Sequence, residues 1–162
     1  MNLSYFEVTQ DNLKEVLVVV SKIFPEDRDD FVKHYNQYVK KDISDWKDVR
    51  YWKYFYVRNY KGEVVAITGL YNESDKHSED EVWLGWYGVA PEYRGMGIGT
   101  EVLMWTVQKT KDLEYKKLRL WTTTDNGEKE AQKLYEKVGL KIYDRKKHES
   151  GEYEILYREL DL

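Results

Sequence analysis

The run from Trp83 to Thr100, WLGWYGVAPEYRGMGIGT, constrains this chain more than any other stretch. It opens as a strand, stops at Pro91, turns through Gly95, Gly97 and Gly99, and enters a helix-like run from Thr100 to Lys109. A strand, a glycine turn and a helix start in succession collect backbone N–H groups where the helix dipole is positive. That is a place for an anion, usually a phosphate.

Spacing tests which anion. The glycines can also serve a tight turn that binds nothing. A dinucleotide fingerprint, Gly-x-Gly-x-x-Gly counted from Gly95 and Gly97, needs a glycine at position 100, where Thr100 stands. A P-loop needs Gly-x-x-x-x-Gly-Lys-Ser/Thr, and the chain has no such run. Both nucleotide motifs fail.

The rest of the chain alternates between the two periodicities. Leu3–Val8 predicts a strand, and Thr9–Asn12 supplies cap residues for a helix to Phe24 with Leu13, Val16, Leu17, Val20 and Phe24 on one stripe. Pro25 interrupts it, and a second helix is predicted over 29–41, followed by a loop over 43–50. Strands are predicted over 51–60 and 63–71 around a Lys61-Gly62 hairpin turn, then over 81–90. After the helix that ends near Lys111 come a strand over 117–123, a helix over 128–138 stopped by Gly139, and strands over 141–145 and 152–158. This order predicts one α/β domain over 1–162. Its sheet is central, twisted, mixed and mostly antiparallel, with six to seven strands and about four helices.

Composition narrows the partners. The 162 residues are 41% hydrophobic and 35% charged, which excludes a disordered chain. A net charge of −4 argues against nucleic acid as the main partner. With no cysteine there is no thiol nucleophile, disulfide or Cys-based metal site, as suits a cytoplasmic protein. The N-terminus shows no signal-peptide pattern, and the longest aliphatic run, Val16–Val20, is too short to enter a membrane as a span. His34, His77 and His148 are scattered without ligand spacing, so no metal is expected.

The segment Val89-Ala90-Pro91-Glu92-Tyr93-Arg94-Gly95-Met96-Gly97-Ile98-Gly99 closely resembles the acetyl-CoA-binding motif of the GNAT superfamily of N-acetyltransferases, Gln/Arg-x-x-Gly-x-Gly/Ala. Arg94, Gly97 and Gly99 fill its three fixed places, with the family's Val-x-Pro ahead of them. Ala131–Leu140 resembles a second landmark, a helix ending in a Tyr-Glu-Lys-x-Gly-Phe-like phrase. The element order agrees over nearly the whole chain, whereas the first 75 residues or so match in pattern only.

The resemblance implies that backbone N–H groups from Arg94 through Gly95, Met96, Gly97, Ile98, Gly99 and Thr100 cradle the CoA pyrophosphate. Arg94 either touches phosphate or braces the loop, and Thr100 either donates its hydroxyl or serves as a cap or first-turn residue. It also implies that the strand before the loop splays from its neighbour and takes pantetheine into the gap. The backbone of Tyr87 and Val89, with Ala90 following, would then meet the acetyl and pantetheine groups and polarise the thioester carbonyl. Gly85 and Gly88 suit a bulge there. Tyr135 would be the general acid on the departing thiolate, although Ala131, Leu134, Tyr135 and Val138 also read as a core stripe. Asn126 would contact the CoA arm, two residues before the family's usual asparagine position, which here is Glu128. Asp125-Asn126-Gly127 equally reads as a turn and cap. Glu81 is the carboxylate available as amine base, in phase with Trp83, Gly85, Tyr87 and Val89. A solvated glutamate at a strand start is its plainer reading, with ordered water as the base.

The activity implied is direct transfer of an acetyl group from acetyl-CoA to a primary amine in a ternary complex. The first two helices and the loop after them would shape the acceptor site, where Trp46, Trp52, Tyr54 and Trp83 can line a pocket for a polyamine, an amino acid or an aminoglycoside. A peptide N-terminus or lysine is the alternative acceptor, and a non-catalytic CoA-binding module is the alternative of another class. The same aromatics could instead be core, or the interface of a homodimer.

Overall fold

The structure is a computed structural model that describes residues 2–40 and 49–162. Seven strands form one sheet in the order β1-β2-β3-β4-β5-β7-β6. They are β1 Ser4–Glu7, β2 Val49–Arg58, β3 Val64–Glu73, β4 Glu81–Val89, β5 Lys117–Thr123, β6 Lys141–Lys147 and β7 Glu154–Asp161. Helices α1 Leu13–Ile23, α2 Arg28–His34, α3 Ile98–Asp112 and α4 Lys129–Val138 flank it. Every strand pair is antiparallel except β4 with β5. The predicted mixed α/β architecture is therefore the fold.

Local chemistry accounts for most boundaries. Helix α1 buries Leu13, Val16, Val19, Val20 and Ile23 and ends two residues before Pro25. Asn12 holds its cap position, but its side chain turns backward, accepting from Thr9 N at 2.9 Å and donating to Glu7 O at 3.0 Å. Gly139 closes α4 in the left-handed region, at φ 96°, with its N–H on carbonyls of the last turn. The predicted second helix is shorter than expected, because the chain widens into a π turn over Tyr35–Val39. Much of the loop predicted over 43–50, with Trp46, lies outside the described residues. Val49 and Arg50 already belong to β2.

The sheet separates two cores. Helices α1 and α2 cover one face over Trp52, Tyr54, Tyr56 and Ile67. On the other face α3 and α4 cover Leu70, Val82, Leu84, Leu118 and Leu120, together with Val57, Val65 and Ala66. Thr68 and Thr106 share a buried hydrogen bond at 2.9 Å that ties α3 to β3.

Candidate active site

Strand β4 changes phase halfway along. Ile67 pairs with Gly88 and Gly69 with Gly85, so two residues, Trp86 and Tyr87, stand opposite Thr68. That is a β-bulge, and Trp86 takes it with φ at 53°. A left-handed tryptophan is held there by rings, with Phe24 and Phe31 edge-on at 5.3 Å and His34 at 5.7 Å. The bulge corrects the phase read from the sequence. Trp83 and Gly85 face α1 and α2, whereas Tyr87 and Val89 pack on the α3 side.

The bulge coincides with a parting of strands. β4 and β5 pair only at Glu81–Lys117, Val82–Leu118 and Trp83–Arg119. Beyond that point β4 keeps β3 as its neighbour and β5 keeps β7, so a gap opens between them. Arg94 Nε donates to Val89 O at 3.0 Å, while the next N–H, that of Ala90, bonds Val65 O in β3 at 2.9 Å. The carbonyl and N–H of one strand residue point the same way, so the Val89 N–H also points away from β3.

The loop follows directly. Pro91–Tyr93 form one 3₁₀ turn, and Gly95 and Gly97 adopt φ of 76° and 82°. Gly97 caps α3, which begins at Ile98, two residues earlier than predicted. Thr100 is the third helical residue, the first-turn alternative for it. The N–H groups of Ile98, Gly99 and Thr100 have no intrahelical acceptor, and the helix dipole is positive there. Tyr87 Oη donates to Gly99 O at 2.7 Å, locking the helix start to β4. A Cβ on Gly99 would lie 3.0 Å from both Leu134 and the Tyr87 hydroxyl, so glycine lets α4, β4 and α3 meet. Ile98 is core, so its side chain faces away from the loop. Met96 is exposed. Gly97 and Thr100 also line an open groove of about 660 Å³ along α3, with Met104, Gln108 and Lys137.

Ala90 and Asn126 differ from expectation in what they offer. Ala90 is fully buried and its N–H is spent on β3, so it shapes the turn and presents no surface. Asn126 is exposed in a 3₁₀ turn capped by Asp125 Oδ1, which accepts from Gly127 N at 2.8 Å. Glu128 instead reaches β5. Its carboxylate takes the Thr122 hydroxyl, the Thr123 hydroxyl at 2.7 Å and the Thr123 N–H at 3.2 Å.

Tyr135 is 6% exposed on the α4 face toward the gap, with its ring centroid 6.0 Å from that of Tyr87. Burial, and then the neighbouring Tyr87 and Glu128, hold its phenol well above the usual tyrosine range. Helix α4 is anchored behind it by Arg158, which is 2% exposed. Its guanidinium donates to Gln132 Oε1 at 2.9 Å, Leu140 O at 2.8 Å and Glu136 Oε1 at 3.0 Å. Gln132 in turn donates to Thr122 Oγ1 and Thr123 O. These anchors escape a reading of motifs. The one visible signal is an arginine in the apolar phase between Leu156 and Leu160.

Glu81 is corrected most. It is 5% exposed rather than solvated, with Oε2 2.7 Å from Arg119 Nη1 and Oε1 accepting from Trp83 Nε1 at 3.0 Å. It lies in the paired part of β4 and β5, before the gap opens.

Two imidazoles border the site on the α1 side. Burial lowers the pKa of both His34 and His77, against opposing pulls from Asp30 and Glu73 on the first and from Glu73 and Glu81 on the second. His77 Nδ1 accepts from Glu73 N at 2.9 Å, a bond that protonation would break. Because the folded pKa values lie below the unfolded ones, the unfolded chain binds more protons as pH falls. The stability these neutral rings contribute is therefore complete above about pH 6.5 and declines below it. Urea midpoints should drop between pH 7 and pH 5.5, and the drop should shrink in the His34→Gln, His77→Gln double variant.

Among the described residues no group of three or more His, Asp or Glu side chains is placed to hold a metal, and no helix is long and apolar enough to cross a membrane.

A parallel strand pair that parts beside a glycine-rich helix start, within this seven-stranded sheet, defines an acetyltransferase-type α/β domain. The model of the acetyltransferase (GNAT) family matches residues 20–140, and the chain belongs to that family. Solved structures share the fold at low identity. A candidate GNAT acetyltransferase from Desulfovibrio desulfuricans superposes with a TM-score of 0.81 at 14% identity, covering 99% of both chains. A GNAT acetyltransferase from Elizabethkingia anophelis with acetyl-CoA bound gives 0.70 at 18%, again covering 99% of both. A spermidine N-acetyltransferase SpeG chimera from Vibrio cholerae and hSSAT gives 0.74 at 14%, covering 99% of this chain and 96% of that one. No curated protein sequence gives a significant match.

Proposed function

We propose that this chain transfers an acetyl group from acetyl-CoA to a primary amine, that of a small molecule, in a ternary complex. The gap that opens between β4 and β5 after Trp83 and Arg119 carries the reading, because it borders the loop and faces Tyr135. The residues present suit that cosubstrate. The first-turn N–H groups of α3 and the left-handed Gly95 and Gly97 form a concave donor row for a pyrophosphate. In this reading Arg94 acts through its bond to Val89 O, as a brace of the loop. Asn126 stays at the rim.

When bound, acetyl-CoA supplies a thioester already activated toward amines. The chain's own groups then have three tasks. The Val89 N–H, with that of Tyr87 two residues back on the same side, donates to the thioester carbonyl oxygen as negative charge develops there. As the amine nitrogen bonds to the carbonyl carbon and the C–S bond breaks, Tyr135 would give its phenolic proton to the departing sulfur, and burial keeps the phenol protonated until then. Tyr135 would regain a proton, through water, from the one the amine loses. The amine proton leaves to water in the gap, since Glu81 is occupied by Arg119 and Trp83.

Acetyl-CoA at about a hundred times its dissociation constant should stabilise the protein by about 2.7 kcal/mol, which raises the melting temperature by roughly 5–10 °C. Thiol release across a panel of amines then reads the reaction. Absence of any shift at millimolar acetyl-CoA overturns the reading, and a shift without thiol release from any amine identifies a CoA-binding module instead.

A further inference from the structure

The α1 side of the gap is floored by a row of rings. Tyr38 stacks on Trp52 at 3.9 Å, and Trp52 stacks on Tyr71 at 4.8 Å. Tyr71 then lies across β4 where Gly85 has no side chain, since a Cβ there would stand 3.2 Å from two carbons of its ring. On the far side the indole of Trp121 in β5 meets the Tyr71 hydroxyl. Gly85 comes two residues after Trp83, and Trp121 two after Arg119, the last β4–β5 pair. The row therefore crosses the sheet at the base of the gap. Trp121 is its outermost member, 57% exposed, with Tyr157 opposite it in β7.

Among the described residues, three carboxylates beside the row already have cationic partners. Glu73 pairs with Lys76, and Arg119 holds both Glu81 at 2.7 Å and Glu159 at 2.9 Å. Two adjoining rings carry the chain's own cations, Arg119 over Tyr143 at 4.7 Å and Lys146 over Tyr157 at 5.1 Å. A second ammonium on the substrate would find these carboxylates neutralised. A flat apolar group would find Trp121 and Tyr71.

Resting on the acetyltransferase reading, we propose that the acceptor is a monoamine on an aromatic or similarly flat apolar body, an arylalkylamine rather than a polyamine. Its ring lies against Trp121 and Tyr71, and its amine points into the gap toward the Val89 backbone. Trp121 determines this specificity.

The test compares 2-phenylethylamine with spermidine as acceptors for the full chain and acetyl-CoA, with calorimetric binding of 2-phenylethylamine measured separately. Trp121 is exposed, so its substitution leaves the fold intact. Expected is a kcat/KM at least tenfold higher for 2-phenylethylamine. Trp121→Ala should raise its KM about tenfold with a smaller change in kcat, and Trp121→Phe should recover most of the loss. Spermidine used as well as or better than 2-phenylethylamine, or an equal effect of Trp121→Ala on both amines, overturns the proposal. Trp121-dependent binding of 2-phenylethylamine without thiol release from any amine sinks the acetyltransferase reading and leaves the flat-amine site standing. Absence of both binding and thiol release overturns the specificity proposal.

Discussion

Tyr135→Phe is expected to lower turnover by about a hundredfold or more, while acetyl-CoA affinity changes by less than about threefold. Phenylalanine keeps the ring that packs among Leu84, Leu118, Leu120 and Leu140 and removes one oxygen. No described residue accepts a hydrogen bond from that oxygen, so its loss breaks no bond among the described residues, and the melting temperature should hold or rise slightly. The measurements are single-turnover thiol release and calorimetric acetyl-CoA binding. Burial raises the Tyr135 pKa, so the acid stays protonated through neutral and mildly alkaline pH, and the wild type should show no alkaline loss of activity below about pH 10 from this group. Unchanged turnover in the variant would make Tyr135 a core residue alone.

What was legible in the sequence follows the range of the forces involved. The loop from Pro91 to Gly99 and the stop at Gly139 obey rules that act within a few residues: a fixed proline φ, positive φ at glycine, and unsatisfied N–H groups at a helix start. Strand and helix order could be read from periodicity for the same reason. Gly85 and Gly88 signal a bulge in β4, but neither names Trp86 as the residue that takes it. A tryptophan adopts left-handed φ because rings from α2 and from Phe24, just past the end of α1, hold it, and no spacing within β4 records them. One extra residue then reverses the side-chain alternation, so Tyr87 left the face on which Glu81 and Trp83 remained. The polar anchors were hidden likewise. Glu128 reads as an ordinary first-turn acid until β5 brings Thr122 and Thr123 to it. Gln132 and Arg158 meet only when α4 lies over β7. The π turn at Tyr35–Val39 interrupts a stripe that reads as one helix.

Glu81 gives the second large effect, on stability rather than turnover. Glu81→Ala is expected to cost about 3 kcal/mol in urea unfolding. The alanine leaves the Trp83 indole N–H without its acceptor at 3.0 Å and takes from Arg119 the closer of its two acidic partners. Removing one member of a buried pair usually costs about 3–5 kcal/mol because the other charge stays behind uncompensated. Here Glu159 still accepts from Arg119 at 2.9 and 3.1 Å, which places the loss at the low end. The local geometry explains why an acid sits at this point at all. Glu81, Trp83 and Arg119 stand on the last parallel pairs before β4 and β5 separate, so their bonds end the zipper and fix where the gap starts. Weakening them should let the strands part earlier, and the acetyl-CoA KM should then rise more than kcat falls. Activity per folded molecule and the acidic limb of its pH profile decide between this account and proton abstraction. A Glu81→Ala protein of undiminished stability with turnover reduced a hundredfold, its acidic limb lost, would make Glu81 the base. Reduced stability with the limb intact leaves that proton to water.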